Sequence, residues 1–328
     1  MLLRDTNKGH VTPTDVDDEA SIPAAITDTG CERELNEDRY AVIEAPSGIA
    51  WLVCDGMGGQ TGGELAAQLA IDAIRRDLEK YQPRPADVAL KSALFEANRV
   101  IVLRRQNQAF ASMGTTVVAA MFDSAEVVIG HIGDSRAYLV RDGAIQQLTI
   151  DHTYVQQLVD RGDIRPEEAL AHPQAHILTR CVGAEPGLEV DLKKYWIWPS
   201  QSGEPSDFMV LCSDGLYSLV ADSEIAKFVS GNTPQAACVR LVELAKARGG
   251  YDNITISIIP LAGQMKQSPP PGYDERKAKK PKTKSIGAPT KGRSLGRSLT
   301  LLTLLTGIAA LGTIAAFFVL KFVLRVNL

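Results

Sequence analysis

The sequence predicts a domain that mixes α-helices with β-strands, followed by a single membrane-spanning helix. Short apolar runs of strand length recur between residues 22 and 260, and several of them adjoin Asp-Gly or a similar acidic turn. Longer segments with apolar residues at helical spacing lie between these runs. An uncharged stretch of 22 residues, 299–320, supplies the spanning helix. Periodicity alone leaves the arrangement of the domain open between α+β and α/β.

The N-terminal part of the chain predicts strands, two helices and then strands again. Residues 1–21 are polar and acidic and contain no signal peptide, so we expect a disordered extension. In the first helix, small and apolar side chains recur every three or four positions, and prolines follow it. The elements expected here are strands and turns over 22–60, helices over 61–81 and about 87–105, and short strands over 115–150 with a hairpin turn at Asp142-Gly143.

The C-terminal part of the domain begins with a polar segment, 151–187, that predicts a helical insertion punctuated by prolines. Strand patterns resume after it, and two helices precede a last strand. The expected bounds are strands near 188–198 and 207–213, helices at about 222–230 and 233–248, and a final strand at 253–260.

Five acidic motifs lie next to strand-like segments. The most informative, Asp55-Gly56-Met57-Gly58-Gly59, follows the apolar run 49–54, and its carboxylate and open backbone carbonyls suit a hard metal ion and a phosphate. An isolated Asp-Gly usually forms a turn, but five acid-bearing turns that each adjoin a strand indicate a shared site. The other four are Asn36-Glu37-Asp38, Gly133-Asp134-Ser135-Arg136, Ser213-Asp214-Gly215 and Asp252-Asn253-Ile254-Thr255.

Strand ends that meet at one edge of a sheet would bring the five aspartates of these motifs together. Like charges raise one another's pKa, so five carboxylates in one site need compensation by cations. An all-oxygen ligand set suits Mg²⁺ or Mn²⁺, and the sequence has no His or Cys cluster that would favour zinc. Two such ions roughly 3.5–4 Å apart would activate a water and stabilise an in-line displacement at phosphorus. The aspartates are Asp38, Asp55, Asp134, Asp214 and Asp252.

The motifs resemble, in identity and order, those of the PP2C-type metal-dependent protein serine/threonine phosphatases in their bacterial form. The resemblance spans most of the predicted domain, 22–262. It implies an α+β fold, an α-β-β-α sandwich of two central antiparallel sheets flanked by helices. Besides the acidic motifs, it rests on Gly30-Cys31-Glu32-Arg33-Glu34-Leu35, Met113-Gly114-Thr115-Thr116, His131-Ile132, Ala137-Tyr138, Leu148-Thr149-Ile150-Asp151-His152, Leu211-Cys212 and Leu216.

The resemblance assigns metal-binding roles. Asp55 is implied to bridge two metal ions, and the Gly56 carbonyl to bind the second of them. Asp214 and Asp252 are implied to complete the first. The implied cofactors are two Mn²⁺ or Mg²⁺ ions.

Four more residues receive roles from the resemblance. Glu37 and Asp38 are implied to hold metal-bound waters, and Asp134 to bind a third, weaker ion. Arg33 is implied to grip the substrate phosphate, and a guanidinium suits this because it can bind two oxygens at once.

The implied reaction is direct attack by a metal-bridging water on phosphoserine or phosphothreonine, without a phosphoenzyme. Many eukaryotic members place a histidine after the Asp-Gly as a proton donor, but Met57 occupies that position here and cannot donate a proton. The proton for the leaving group would then come from a metal-bound water or another residue. His152 and His172 lie in the segment that could cover the site, and we expect structural roles for both.

Two alternatives to a protein phosphatase stay open. One is a catalytically inactive scaffold that binds phosphoproteins, and the other is a phosphatase of the same fold that acts on a small metabolite. A thiol nucleophile and a nucleotide-binding P-loop find no support, because the sequence contains neither a Cys-x5-Arg loop nor a Gly-x4-Gly-Lys-Ser/Thr loop.

Charge and cysteine content narrow the class of protein further. The whole chain has a net charge of −4, but residues 266–297 carry ten Lys or Arg and only two acids, and Lys321 and Arg325 are also basic, which leaves −14 for residues 1–265. An acidic domain suits cation binding and gives no indication of nucleic acid as a partner. The five cysteines have no paired spacing, so we expect reduced thiols in a cytosolic compartment.

The C-terminal tail predicts attachment to a membrane. Residues 263–298 are rich in Pro, Lys, Gly and Ser and predict a disordered basic linker. The apolar stretch 299–320 would span roughly 33 Å as a helix, enough for a hydrocarbon core of about 30 Å. Basic residues are more numerous before this stretch than in the short tail, 321–328, so the positive-inside rule places the domain on the cytoplasmic side of the cell membrane. The expected partners are phosphoserine and phosphothreonine proteins that a Ser/Thr kinase produces, and the membrane.

Overall fold

The structure is a computed structural model that describes residues 20–58, 62–80, 84–123, 125–184, 187–199, 207–270 and 273. Residues 1–19, most of the predicted linker and the predicted spanning helix, 299–320, lie outside these residues. Among the described residues, no helix combines the length and the apolar character that crossing a membrane requires.

The helices and strands follow the predicted order. The helices are α1 (Gly62–Leu78), α2 (Ala86–Arg104), α3 (Tyr154–Asp160), α4 (Asp214–Tyr217), α5 (Asp222–Ser230) and α6 (Pro234–Ala247). The strands are β1 (Ala24–Asp28), β2 (Arg39–Ala45), β3 (Gly48–Cys54), β4 (Gly56–Met57), β5 (Gly114–Thr115), β6 (Val117–Phe122), β7 (Glu126–Ile132), β8 (Arg136–Arg141), β9 (Ala144–Gln147), β10 (Asp191–Pro199), β11 (Asp207–Cys212), β12 (Ile254–Leu261) and β13 (Gly263–Lys266).

Two antiparallel sheets form the centre of the domain. One has the strand order β1-β12-β11-β8-β9 and the other β13-β10-β7-β6-β3-β2, while β4 and β5 pair separately. The predicted α+β class with antiparallel sheets and flanking helices is therefore confirmed. The predicted hairpin turn is also confirmed, because Asp142 and Gly143 both have positive φ between β8 and β9.

Three apolar clusters hold the layers together, because successive strand residues point to opposite faces of a sheet. In β3, Leu52 packs with α1 and α2 on the outer face of the six-stranded sheet. Its neighbour Val53 packs between the two sheets with Met209 and Leu211. The five-stranded sheet packs its outer face on α4, α5 and α6, where Leu241 is fully buried. The four layers thus follow from the alternation of apolar residues along the strands.

Two predictions were wrong, one about the helical content of the segment 151–187 and one about where the linker begins. The segment 151–187 was expected to be helical, but it contains only α3 and a short 3-10 turn, Pro166–Glu168, among its described residues. Thr153 caps the start of α3 by accepting a hydrogen bond from the Gln156 amide, and Gly162, with positive φ, follows the end of the helix.

The second correction concerns the start of the linker, which was expected at residue 263. Gly263–Lys266 instead forms β13 at the edge of the six-stranded sheet. The Met265 amide donates to Asp207 Oδ2 at 2.5 Å, and the Met265 carbonyl accepts from Arg141 at 2.7 Å. Beyond β13, the Tyr273 hydroxyl donates to Glu126 Oε1 at 2.6 Å. The folded domain therefore extends past the predicted boundary at 262.

Candidate metal centre and active site

A cavity of about 650 Å³ opens where the acidic motifs converge. The structure brings together here all the residues that sequence analysis assigned to the site, with Asp38 enclosed beneath the surface of the cavity. The assigned residues that line the cavity directly are Arg33, Glu37, Asp55, Gly56, Asp134, Asp214 and Asp252.

Asp55 follows the end of β3 and is held through its backbone by the Thr115-Thr116 pair. Its amide donates to Thr116 Oγ1 at 3.0 Å. Its carbonyl accepts from the Thr116 amide at 2.8 Å and from Thr115 Oγ1 at 2.9 Å. These bonds fix the backbone of Asp55, which lines the cavity. This explains why the Gly114-Thr115-Thr116 motif accompanies the acidic motifs.

The backbone of Gly56 lies against the first turn of α1. A Cβ atom on Gly56 would come within 2.1 Å of the Gly63 carbonyl oxygen, so the contact requires glycine. Glu37 sits at the same junction, where its Oε1 accepts from the Gly63 amide at 3.1 Å. Burial raises the pKa of Glu37. The start of α1 therefore positions both Gly56 and Glu37 beside Asp55.

Asp38 is only 1% exposed and has one carboxylate oxygen in use. Its Oδ2 accepts from Ser213 Oγ at 2.7 Å, and Ser213 in turn accepts from the Thr255 amide at 3.0 Å. Its Oδ1 is buried without a hydrogen-bond partner among the described residues. Burial, reinforced by the charges of Asp214 and Asp252, raises the pKa of Asp38 to about 7. A cation or a hydrogen-bond donor at Asp38 Oδ1 would therefore stabilise the buried carboxylate.

Asp214 starts α4, and Asp252 lies just before β12. Asp214 Oδ1 is also buried without a hydrogen-bond partner in the described part of the chain. Burial and the charge of Asp252 raise the pKa of Asp214 to about 6. Asp252 Oδ2 accepts from Arg33 Nη2 at 2.9 Å, and about half of the Arg33 side chain is exposed. Arg33 therefore stands at the rim of the cavity with donors to spare.

Asn253 was part of an acidic motif but had no predicted role of its own. Its Oδ1 accepts from the Glu37 amide at 2.8 Å, and its Nδ2 donates to the carbonyls of Thr29 and Leu35 at 2.9 and 3.0 Å. An asparagine supplies donors and an acceptor together, which an aspartate could not do. Asn253 therefore fixes the loop that carries Arg33 and Glu37.

Asp134 is 5% exposed and follows a glycine turn after β7. Burial, with the charge of Asp214, raises its pKa well above the usual range. Asp55 behaves in the same way, and its pKa is raised by burial and then by Asp38, Asp214, Asp134 and Asp252. The five aspartates thus form one electrostatic cluster, as the sequence predicted.

This cluster fits divalent cations. It offers carboxylate and carbonyl oxygens, the ligands that Mg²⁺ and Mn²⁺ prefer. The partnerless oxygens of Asp38 and Asp214 and the mutual repulsion of the carboxyl groups are what a cation would relieve. The residues present therefore match the predicted cofactors.

One wall of the cavity was not foreseen. His176, Leu178 and Cys181 line it from within the segment predicted as a helical insertion. These residues follow α3 in irregular structure. The sequence around them therefore shows neither a helical or strand-like spacing of apolar residues nor a motif that would identify them. Met57 also lines the cavity. The side chain that follows Asp55-Gly56 therefore has no proton to donate to a leaving group.

A second cluster of possible ligands, His131, His152 and Asp191, lies beside the Asp134 turn, with ligand atoms within 4.8 Å of one another. The two imidazoles stack with centroids 4.6 Å apart and planes 21° apart, so their lone pairs do not converge on one point. His152 Nδ1 already accepts from the Gly133 amide at 3.1 Å. By this geometry the cluster is a hydrogen-bonded group rather than a metal centre. His172 Nδ1 accepts a hydrogen bond from the Gln174 amide at 3.1 Å, within its own turn.

Comparisons with known proteins agree on one family. A profile described as protein phosphatase 2C matches residues 32–247. The chain is 35% identical over 240 residues to the serine/threonine phosphatase stp of Listeria monocytogenes, covering 71% of this chain and 93% of the relative. It is 37% identical over 240 residues to the serine/threonine protein phosphatase PstP of Mycobacterium tuberculosis, covering 72% of this chain and 44% of that protein.

Solved structures give the same result. The crystal structure of the Mycobacterium tuberculosis phosphatase PstP/Ppp superposes with a TM-score of 0.66 at 35% identity, covering 73% of this chain and 98% of that one. The catalytic domain of PstP in complex with two manganese ions superposes with a TM-score of 0.63 at 33% identity. The match covers 72% of this chain and 96% of that one.

Proposed function

This chain belongs to the protein phosphatase 2C family and is a serine/threonine protein phosphatase, and we propose that its acid cleft holds the metal ions of a direct hydrolysis at the cytoplasmic face of a membrane. Phosphoserine and phosphothreonine in proteins are the proposed substrates. The observation that carries the proposal is the aspartate cluster with two buried carboxylate oxygens that have no hydrogen-bond partner in the described part of the chain.

The chain's own residues would hold two Mn²⁺ or Mg²⁺ ions. Asp55 and Gly56 line the cavity, and so do Asp214, which follows β11, and Asp252, which precedes β12. Glu37 is placed to orient waters around this centre. When bound, the ions supply an activated water nucleophile and neutralise charge on the phosphoryl oxygens.

Asp38 and Asp134 complete the centre. Asp38 is held by Ser213 with one oxygen left over, which suits a residue that accepts a proton or a hydrogen bond from water. Asp134, on the opposite turn, would hold a third and weaker ion. Both groups need the cations to stay ionised, because burial raises their pKa.

Arg33 is the proposed phosphate-binding residue. It lines the cavity and is half exposed, with Nη2 bonded to Asp252 and the rest of the guanidinium accessible. A guanidinium offers donors in a planar fork, so it can keep Asp252 and bind phosphate oxygens at once. The same bond orients Asp252 toward the metal centre.

We extend the proposal to attachment at the membrane. Its support is in the sequence, where the uncharged stretch 299–320 follows a strongly basic segment. Attachment would raise the effective concentration of the phosphatase near membrane-bound kinases and their substrates. Fractionation of cells that express the full chain, compared with a chain that ends after residue 273, tests this. Recovery of both in the soluble fraction would refute it.

The catalytic proposal is tested with the full chain and a phosphothreonine peptide. Turnover should require Mn²⁺, stop in EDTA, and fall at least about 10²-fold in Asp214→Asn, because a ligand is lost. Asp72→Asn is the matched control, since Asp72 is an exposed residue on α1 whose carboxylate accepts a hydrogen bond from the Gln68 side chain at 3.0 Å, away from the cavity. Equal turnover by the two variants, or faster turnover of small phosphorylated metabolites than of the peptide, would contradict the proposal.

A further inference from the structure

One wall of the acid cleft is built from the irregular segment 176–182. His176, Leu178 and Cys181 of this segment line the same cavity as Asp55 and Asp134. We expect a peptide that brings a phosphoresidue to the aspartates to lie against this wall.

Backbone hydrogen bonds attach the wall to the two turns that carry Asp55 and Asp134. At its end, Val182 and Thr115 exchange two hydrogen bonds, of 3.1 and 2.8 Å, next to the threonine that holds Asp55. Further up, the Thr179 amide donates to the His152 carbonyl at 2.8 Å. The wall thus shares one frame with the metal-binding turns.

His152 joins the wall to the turn that precedes Asp134. The His152 amide donates to the Gly133 carbonyl at 2.9 Å, and its ring Nδ1 accepts from the Gly133 amide at 3.1 Å. Gly133 has a φ of +102°, and a Cβ there would lie 2.6 Å from the Thr116 side chain. Position 133 therefore requires glycine, and His152 binds both the amide and the carbonyl of this residue.

The His152 ring is itself fixed on both sides. Because Nδ1 accepts, a neutral ring carries its proton on Nε2, which lies 3.3 Å from Asp191 Oδ2. Arg180, from the wall, donates to Asp191 Oδ1 at 3.2 Å, and His131 stacks on the ring. The Asp191 carboxylate fixes the orientation of the His152 ring, as carboxylates do for histidines that bind metals. Here the oriented ring holds the backbone turn at Gly133.

We propose that His152 is a positioning residue that couples the peptide-facing wall to the Asp134 turn, so that cation binding at Asp134 and peptide binding on the wall strengthen one another. The inference rests on the proposed function for the cation and the phosphopeptide. It follows from the contacts because the ring and amide of His152 hold Gly133 while its carbonyl holds Thr179. Coupling between two sites is reciprocal, so either ligand reports on it.

The test measures Mn²⁺ binding to the full chain by electron paramagnetic resonance of the free ion, and KM for two substrates. In His152→Ala, we expect the weakest Mn²⁺ site to lose about 10-fold in affinity, with the tighter sites unchanged. We expect KM to rise several-fold for a phosphothreonine peptide and to stay the same for p-nitrophenyl phosphate, because the small ester does not reach the wall.

Two variants act as controls. His152→Asn places an amide oxygen where Nδ1 was, so it should restore the bond to Gly133 and bring both readouts back toward the wild type. His172→Ala removes a histidine of the same segment whose ring accepts a hydrogen bond from the nearby Gln174 amide, and should leave both readouts unchanged.

Three results would overturn the inference. The first is wild-type Mn²⁺ binding at every site in a folded His152→Ala protein. The second is an equal loss at all sites together with a lower Tm, which indicates general loss of structure. The third is an equal rise in KM for peptide and ester. If the wild type hydrolyses neither substrate, the proposed function fails, whereas the Mn²⁺ isotherms still decide the role of His152.

Discussion

Two buried polar clusters adjoin the Asp134 turn, and they differ in how their charges are balanced. In the first, the Asp151 carboxylate accepts three hydrogen bonds from Arg136, of 2.6 to 3.0 Å, and a fourth from Gln147. The Arg136 guanidinium also donates to Tyr138 and lies 3.6 Å from the Tyr217 ring centroid. In the second, the aspartates of the cleft face one another, with two oxygens left without a partner among the described residues.

The difference shows which cluster the fold completes by itself. The Arg136–Asp151 pair has its counter-charge within the chain and can contribute to stability and to the shape of the turn. In the aspartate cluster, the Arg33–Asp252 ion pair does not offset the mutual repulsion of the carboxylates, so the folded protein carries unfavourable electrostatic energy there until cations bind. The presence of a partner for each charge thus separates a supporting cluster from a ligand-binding one, although both contain carboxylates that are largely shielded from solvent.

The largest effect should follow from Asp55→Asn, which tests whether the aspartate cluster, unlike the Arg136–Asp151 cluster, is destabilised by its own charges. Loss of the central ligand should lower kcat/KM at least about 10³-fold. The same change removes one of the repelling carboxylates, so the EDTA-treated protein should unfold at a higher temperature than the wild type. Calorimetry with and without Mn²⁺, beside peptide turnover, measures both. A lower Tm in EDTA would show that the aspartates stabilise the metal-free fold.

A second effect should come from Asp151→Ala in the satisfied cluster. It leaves the Arg136 charge buried and unpaired, so we expect a loss of about 3–5 kcal/mol in the free energy of unfolding, with or without Mn²⁺. Urea denaturation measures it. The double variant Arg136→Met, Asp151→Leu should recover much of the loss, and an equally unstable double variant would contradict this account.

A third effect is a pH dependence of cation stabilisation. Burial raises the pKa of Asp38 to about 7 and of Asp214 to about 6, so the metal-free folded state binds protons between pH 7 and 4 that the unfolded chain does not. The metal-free protein should gain stability from these groups as the pH falls from 8 to 5, while protons compete with Mn²⁺. At an Mn²⁺ concentration 100-fold above Kd at pH 8, the stabilisation of about 2.7 kcal/mol should largely disappear at pH 5.

This measurement has an internal control. His131 has a pKa lowered by burial to about 4, so its contribution to stability is lost as the pH falls below the ordinary histidine value. That effect has the opposite sign and is the same with and without Mn²⁺, so the difference between the two curves isolates the aspartates. A difference that does not change with pH would mean that the cations bind elsewhere.

The smallest effect should come from Thr233→Ala, at the start of α6 and outside both clusters. Thr233 Oγ1 accepts from the Ala236 amide and caps the helix. We expect a loss of about 1 kcal/mol in unfolding free energy, equal with and without Mn²⁺, and unchanged turnover. A change in Mn²⁺ affinity would break the separation between the cleft and the rest of the fold.

Sequence patterns predicted most of the domain because its elements have strong local signals. The helix expected at 61–81 appears as α1, since its small residues pack closely against α2, and the five aspartates converge because each follows or precedes a strand. The wall residues His176 and Cys181 could not be predicted, because tertiary hydrogen bonds to Thr115 and His152 hold their segment. The stacking of His131 on His152 is likewise a contact between distant segments.

Strand β13 determines how far the chain can be shortened from its C-terminus without destabilising the folded domain. Met265 is 3% exposed and packs between the sheets, and its backbone is bound to Arg141 and to the buried Asp207. A chain shortened to residue 262 would strip the edge of the six-stranded sheet and expose apolar surface that promotes self-association. A chain shortened after Tyr273 keeps the strand and the hydroxyl contact to Glu126. Limited proteolysis should therefore release a core whose C-terminus lies beyond 273, some ten residues later than composition suggests.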